Sequence, residues 1–546
     1  MKRVSTDDTT VVRTETSQSS NGDINRSETM PTPKSIGAFM EEAFQQKKNQ
    51  LQFWTTIVLI ALAYSTDSAS ILCVAFLLSD TSFQTEILGG SASHAGFFAA
   101  ALIVGMLTGS IVFGILGDCV GRKPLVLLGM VCTATCGVLS VFVGTLTQIT
   151  VLRLLAGLGI GCMGPPLAAL AAELAPPSLR GFVVAMVSGS WVFGSIYVAA
   201  VAWISLGVFH NWRVFLFLCS IPAVVIGSFL SCFITESPLF LAQQQDYKGA
   251  VSSLDRLARQ MGCEFGDDHF VSVEEIMELY TPKTMGTDAI PYWTTKPDNR
   301  PIQRTVENSV KSFLKSFSAL YASEQCWTTL LLQVSWGGLS FATYGLGSWI
   351  NELFLQTHLH NIYFNAMLFS LALLPGNAAS VLLIETVSRK GLVVVGFLAS
   401  ALSLALCATV AATTQGTLLH TVGIVGSVSL YHSCEQLVWN SISAITTEHC
   451  PTVARSMGYG MCSSTGKLTA ASAQFVNAAL VSEPVAVLAL ASFGMVIAGF
   501  AQLILPGGDM RKVPLDDMED RSRWTIKKES NETSSLLANR RDGGIP

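Results

Sequence analysis

The sequence predicts an all-α membrane protein of about twelve spans arranged as two six-helix pseudo-repeats. Three observations predict it: a composition too apolar for water, a succession of apolar stretches long enough to cross hydrocarbon, and polar loop signatures that recur at matching places in the two halves. Half of the 546 residues are hydrophobic and only 13% are charged, so most of the chain needs lipid as its solvent. The net charge of -5 sits in tails and loops, and no basic patch suited to nucleic acid emerges. The thirteen cysteines, Cys73, Cys132 and Cys407 among them, fall in spans and cytoplasmic segments, which argues against a disulfide scaffold.

Apolar stretches of ~20 residues or more, the length a helix needs to cross a bilayer, lie at 53–78, 92–116, 125–145, 149–173, 181–207 and 213–234. After a long polar interval they resume at 327–350, 362–384, 391–412, 417–446, 457–481 and 485–505. The expected organisation is a disordered cytoplasmic arm (1–50), a first six-helix bundle (51–234), a central loop (235–326), a second bundle (327–505) and a disordered tail (506–546). The arm is polar, rich in Ser and Thr, and lacks the apolar core of a cleaved signal. In the central loop, Val251, Leu254, Leu257, Ala258 and Met261 repeat at helical spacing, which predicts an amphipathic helix against the inner face. The Pro-, Thr- and Asp-rich run that follows reads as linker.

Sidedness follows from the basic residues, which accumulate where they need not be translocated. Of 33 Lys and Arg, 30 fall in the segments assigned to one side; Arg153, Arg213 and Lys467 are the exceptions. Both termini are therefore expected in the cytoplasm. The sequons at Asn25 and Asn531 then stay unmodified.

The internal repeat is carried by two signatures. Glu173, Pro176 and Arg180 after the fourth span return with identical spacing as Glu448, Pro451 and Arg455 after the tenth. GDCVGRK at 117–123, with Asp118 and Arg122, is echoed by ETVSRK at 385–390, with Glu385 and Arg389. Parallel repeats place a binding site between the halves near the midplane. The loop charges admit two readings: an inner gate that locks when the protein opens outward, or simple anchoring of Arg and Lys by the positive-inside bias. Anchoring explains Asp118 badly, because an acid adds nothing to that bias.

Ionisable groups inside spans are costly and mark functional sites. Asp67 in span one, Glu435 in span ten and Lys467 in span eleven lie near mid-span, while Arg153 lies toward the outer end of span four, where snorkelling would serve as an anchor. Asp67 is a candidate for taking up and releasing a proton, with a helix–helix hydrogen bond as its alternative. Asp67 and Lys467 are expected to face one cavity. The chain carries no phosphate-cradling loop, no HExxH and no nucleophilic triad, so neither an enzyme nor an ATP-driven pump is expected. No cofactor or metal site is expected either, and His358 and His360 read as solvated loop residues.

GILGDCVGRKP at 114–124 and RLLAGLGIG at 153–161 resemble the major facilitator superfamily. The run from Arg153 through Trp191, Gly194, Tyr197 and Trp203 resembles the synaptic vesicle glycoprotein 2 branch and its related proteins, as do TYGLGSWINELF (343–354), WNSISAITTEHCP (439–451) and TESPLFL (235–241). The likeness covers about residues 50–505 and implies a major facilitator fold, with Trp191 and Trp439 flanking a central site; aromatic packing between helices is the other reading of those rings. Tyr197 joins the candidates on the same resemblance. The chain departs from the branch at Ser70, Ser443 and Leu239, where the branch has acid, acid and Arg, and in lacking its long outer domain. The ligands of the branch are therefore not transferred.

The expected function is secondary active transport of a small polar organic solute, such as an organic ion, with proton coupling through Asp67. The alternatives are a trafficking or regulatory protein that keeps the fold without transporting, and a sugar carrier. In the tail, Glu532 with Leu536 and Leu537 has the spacing of an acidic dileucine signal for clathrin adaptors, which points to intracellular vesicles or endolysosomes, with the plasma membrane as the alternative.

Overall fold

The structure is a computed structural model, and it describes residues 35–46, 50–263, 271–280, 317–322, 325–359, 361–383, 386–413, 418–450 and 455–506. Spans one to four are the helices Leu51–Leu78, Ala92–Val120, Arg122–Leu139 and Leu146–Leu174. Span five is broken into Arg180–Gly189 and Trp191–Ala202, and span six is Trp212–Phe233. In the second half, span seven is Cys326–Gln356, span eight is broken into Ile362–Leu371 and Leu373–Leu383, and spans nine to twelve are Arg389–Ala412, Leu418–His449, Arg455–Ala479 and Pro484–Ile504. All twelve expected spans are present.

Nine of them are long and apolar enough to cross a membrane by composition alone. Spans seven, ten and eleven fall below that hydropathy for a physical reason. They carry the polar side chains of the protein interior, including Glu435, Gln474 and Lys467, and their neighbours shield those groups from lipid.

Helix starts are capped by short polar side chains. Thr145 accepts from the Gln148 N–H, Asn211 from the Arg213 and Val214 N–H groups, and Ser388 from the Gly391 N–H. The glycine motif of span four works by close approach. A Cβ on Gly157 would lie 2.0 Å from the Leu102 carbonyl oxygen, and one on Gly105 would lie 2.1 Å from that of Leu154, so spans two and four touch backbone to backbone. Similarly, Gly194 of span five packs on the Ser65 carbonyl. The break at Ser190 is re-satisfied locally: the Ser190 hydroxyl donates to the Ala61 carbonyl at 2.6 Å, and the Ser68 hydroxyl to that of Trp191 at 2.8 Å.

The halves meet through spans two and eleven, five and eight, and one and seven, mostly toward the face opposite the termini. There Phe97 packs edge-on to Phe475, Trp203 to Phe364, and Gln84 donates to Glu352 at 3.4 Å. A cavity of about 10 Å³, no more than the space of one water, remains between Leu72, Phe76, Val198, Ile350 and Phe369. Among the described residues these contacts close that face.

On the terminal face, Tyr247–Gln260 forms the expected amphipathic helix, with Val251, Leu254, Leu257, Ala258 and Met261 all buried. The expectation of a disordered arm over 1–50 does not hold at its end. Ile36–Gln45 is a helix capped by Ser35, and its Ile36, Phe39 and Met40 pack against Val251 and Leu254. Its apolar face supplies the burial that the polar composition of the arm as a whole obscured. The sequons, the linker after 280 and the tail motif with Glu532, Leu536 and Leu537 lie outside the described residues.

Candidate functional site

Aromatic and acidic side chains from both halves converge between the bundles. From the first half, Tyr64 and Trp191 pack with ring centroids 6.0 Å apart, one helical turn from Asp67. From the second, Trp439 packs on Trp336 at 5.5 Å and on Tyr344 at 6.1 Å, and Tyr459 packs on Trp336 at 5.2 Å. Tyr64 is within electrostatic reach of Tyr344, Tyr459 and Asp67, so the two clusters face each other. Tyr459 is 36% exposed, whereas Trp336 is 3% exposed, so the aromatic lining grades from the exposed Tyr459 into the protein.

Asp67 is 3% exposed, and its Oδ1 has no hydrogen-bond partner. An unpaired carboxylate in such a place costs several kcal/mol unless a proton or a cationic group compensates. The expected neighbour does not do so. Lys467 donates instead to Ser463 of its own helix at 3.0 Å and to Ser110 of span two at 3.2 Å, spanning the halves through hydroxyls. Arg153, expected to snorkel, is 4% exposed; its Nη1 donates to the Cys73 sulfur at 3.3 Å, and its Nε and Nη2 have no partner. Buried beside Cys73 of span one, it does not reach the outer surface. Tyr197 is also removed from the site, because its hydroxyl donates to the Leu218 carbonyl at 2.7 Å inside the first bundle.

Glu435 sits at the centre of a second-half network that no motif announced. Its Oε2 accepts from the Tyr431 hydroxyl at 2.7 Å and from the Thr343 hydroxyl, and its Oε1 lies 2.7 Å from His432 Nδ1. Thr343 also accepts from Trp439 Nε1 at 3.3 Å, which ties the network to the aromatic cluster. The available signal was the spacing: residues three apart on a helix share a face, so His432 had to meet Glu435.

On the terminal face the loop charges pair within each half. Arg122 Nε lies 3.8 Å from Glu173 Oε2, and Arg389 forms an ion pair with Glu448. Arg180 donates to the Ala172 carbonyl at 3.0 Å. With the opposite face sealed, these pairs brace each bundle and do not bridge the two. Glu236 was missed by sequence reasoning. Its carboxylate accepts from the Arg122 and Lys123 N–H groups at 3.1 and 3.2 Å, at the start of span three, where a helix favours an anion. Gly121 is needed there twice over: its φ is 104°, and a Cβ would meet Glu236 Oε2 at 2.5 Å. The side chains of Asp118 and Arg455, and the whole of Glu385 and His360, lie outside the described residues.

Comparison with known proteins agrees with this architecture. Synaptic vesicle glycoprotein 2B of Mus musculus is 31% identical over 202 residues, covering 35% of this chain and 29% of that protein. The Homo sapiens form is 26% identical over 314 residues, covering 55% and 45%. These matches span less than half the length of either relative. Among solved structures, the proton:xylose symporter XylE bound to 6-bromo-6-deoxy-D-glucose superposes with a TM-score of 0.61 at 15% identity, covering 85% of this chain and 99% of that one. The inward-open conformation of XylE from E. coli gives 0.61 at 16% identity, covering 86% and 99%. The profile of the family described as sugar (and other) transporter matches residues 48–505, and the chain belongs to that family, within the major facilitator superfamily.

Proposed function

We propose that this protein is a secondary active transporter that moves a small polar organic solute by alternating access, coupled to protons through Asp67. The observation that carries the reading is the meeting of Tyr64, Asp67 and Trp191 from one half with Tyr344, Trp439 and Tyr459 from the other, beneath the contacts that close the far face. Aromatic faces suit the apolar or cationic part of an organic ion, and the uncompensated Asp67 suits its charge or a proton. The basic loops support cytoplasmic termini, and with closure of the opposite face they support an inward-facing state. Intracellular vesicles or endolysosomes are the proposed membrane.

The test is uptake by purified protein in liposomes, with and without a pH gradient, across a panel of organic cations, organic anions and sugars. Gradient-stimulated uptake of an organic ion supports the reading. Uptake of sugars alone would favour a sugar carrier, which paired amides such as Asn377 and Asn440, hydrogen-bonded at 3.0 Å, would suit. No uptake of any solute would leave the trafficking role of a non-transporting relative as the better account.

A further inference from the structure

We propose that His432 and Glu435 form a second proton-binding site, carried by the C-terminal half, whose occupancy sets whether span eight can seal the far face. The proposal rests on the alternating-access reading and deepens it.

The geometry has three parts. First, the pair is buried and closely bonded: His432 and Glu435 are 6% and 2% exposed, with Nδ1 and Oε1 2.7 Å apart. Tyr431 and Thr343 satisfy the other carboxylate oxygen, so Glu435 accepts from three side chains. Secondly, His432 Nε2 is buried and has no partner. Thirdly, the imidazole lies flat on Phe369 of span eight, with centroids 3.8 Å apart and planes inclined by 8°. Phe369 is itself part of the seal, lining the small cavity with Leu72 and Phe76 of span one and Val198 of span five.

These parts imply a coupling. While the far face is sealed, a proton on Nε2 would be a buried donor without an acceptor, at a cost of ~1–3 kcal/mol. Parting of spans five and eight would release Phe369 from the first half and admit water to the ring. A proton entering from that water binds Nε2 while Nδ1–H stays on Glu435, giving an imidazolium–carboxylate pair, and it leaves by the same nitrogen before the seal re-forms. The state that binds the proton better is favoured as pH falls, so acid favours the far-face-open state.

The ionisable groups around the pair are few. Span ten adds Tyr431 and Cys434, and span seven adds Tyr344, which lies within electrostatic reach of both Glu435 and Asp67. Span eight presents Phe369, and among the described residues no lysine, arginine or further carboxylate forms an ion pair with either member. The site is therefore separate from Asp67, although Tyr344 lies between them.

The experiment needs no solute, so its outcome is independent of the uptake panel. Spin labels attached through ketone-bearing residues at Ser93 and Ser482, exposed at the far-face ends of spans two and twelve, report the separation of the halves in nanodiscs. On going from about pH 8 to about pH 5.5, the open-to-sealed ratio of the parent should rise about tenfold, the size expected when one site titrates differently in two states. In His432→Gln, which keeps a donor for Glu435 but cannot titrate, the change should fall below about twofold. His432→Asn repeats the measurement should Gln disturb folding, as judged by size-exclusion elution. A parent insensitive to pH, or a response that survives at full size in His432→Gln, overturns the proposal.

Discussion

Arg389 and Glu448 form, at the terminal face of the second bundle, the same contact that Arg122 and Glu173 form in the first. The two copies differ in depth. The Glu448 side chain is 6% exposed and that of Glu173 is 18%, and only the second copy is close enough to be a hydrogen bond. Removing one partner of a buried pair strands the other charge, whereas a longer, wetter pair contributes little. Glu448→Gln should therefore lower stability by about 1–3 kcal/mol and Glu173→Gln by less than about 1 kcal/mol. Thermal unfolding in detergent measures the difference; equal losses would show that depth does not set the effect.

Asp118 belongs to the same loop constellation by sequence. Asp118→Asn is expected to slow transport while leaving expression and elution unchanged, because an acid there contributes nothing to topology. Parallel loss of folded protein would mark it as structural, and Glu385→Gln asks the same question of the second half.

Asp67 gives the sharpest functional test. With no partner for one carboxylate oxygen, it has little structural work to lose. Asp67→Asn should abolish uptake driven by a pH gradient while sparing solute exchange across equal pH. Retention of gradient-driven uptake by folded Asp67→Asn would remove it from coupling.

The helix Ile36–Gln45 contacts the first bundle through Glu41, whose Oε2 accepts from the Ser178 N–H at 3.1 Å. Burial opposes ionisation of Glu41, but hydrogen bonds from Ser178 and Gln45 outweigh it and hold Glu41 below its ordinary 4.5. A lowered carboxylate contributes stability that is present above the unfolded value and lost as pH falls through the folded one. Protection from hydrogen exchange over 36–45, corrected for the intrinsic rate at each pH, should thus fall below about pH 4.5 in the parent, and Glu41→Gln should lower it at neutral pH with little further change in acid. An acid response unchanged by Glu41→Gln would place the titrating group elsewhere.

Address is a separate matter from mechanism. Replacing Leu536 and Leu537 by Ala is expected to shift the protein from internal vesicles to the cell surface, scored by surface biotinylation. An unchanged distribution would dismiss the tail motif.

The twelve spans and their pairing into halves were legible because hydrocarbon imposes one length on every helix, and because Glu173-x2-Pro176-x3-Arg180 recurs intact at Glu448. Asp67 stood out as a candidate because charge inside a span is costly, and Trp191 and Trp439 because of the family resemblance. What escaped was relational. Nothing in the sequence says that Lys467 turns to Ser110, that Tyr197 spends its hydroxyl on Leu218, or that Thr343 joins Trp439 to Glu435. Those choices depend on which helix faces which, and a 3.6-residue period fixes the faces of one helix without naming its neighbour.

The glycine bed between spans two and four has a mechanical consequence. Helices whose backbones touch have no side-chain cushion to compress, so spans two and four would move together as one lever arm. Any rocking is then transmitted whole to the seam between the bundles, where Ile103 meets Ala470 and Ala471, and Gly96 meets Ala478. Small residues there let the arms roll on one another with little snagging. One methyl group added at Gly96 would lie 3.0 Å from the Ala478 side chain and act as a brake pad there.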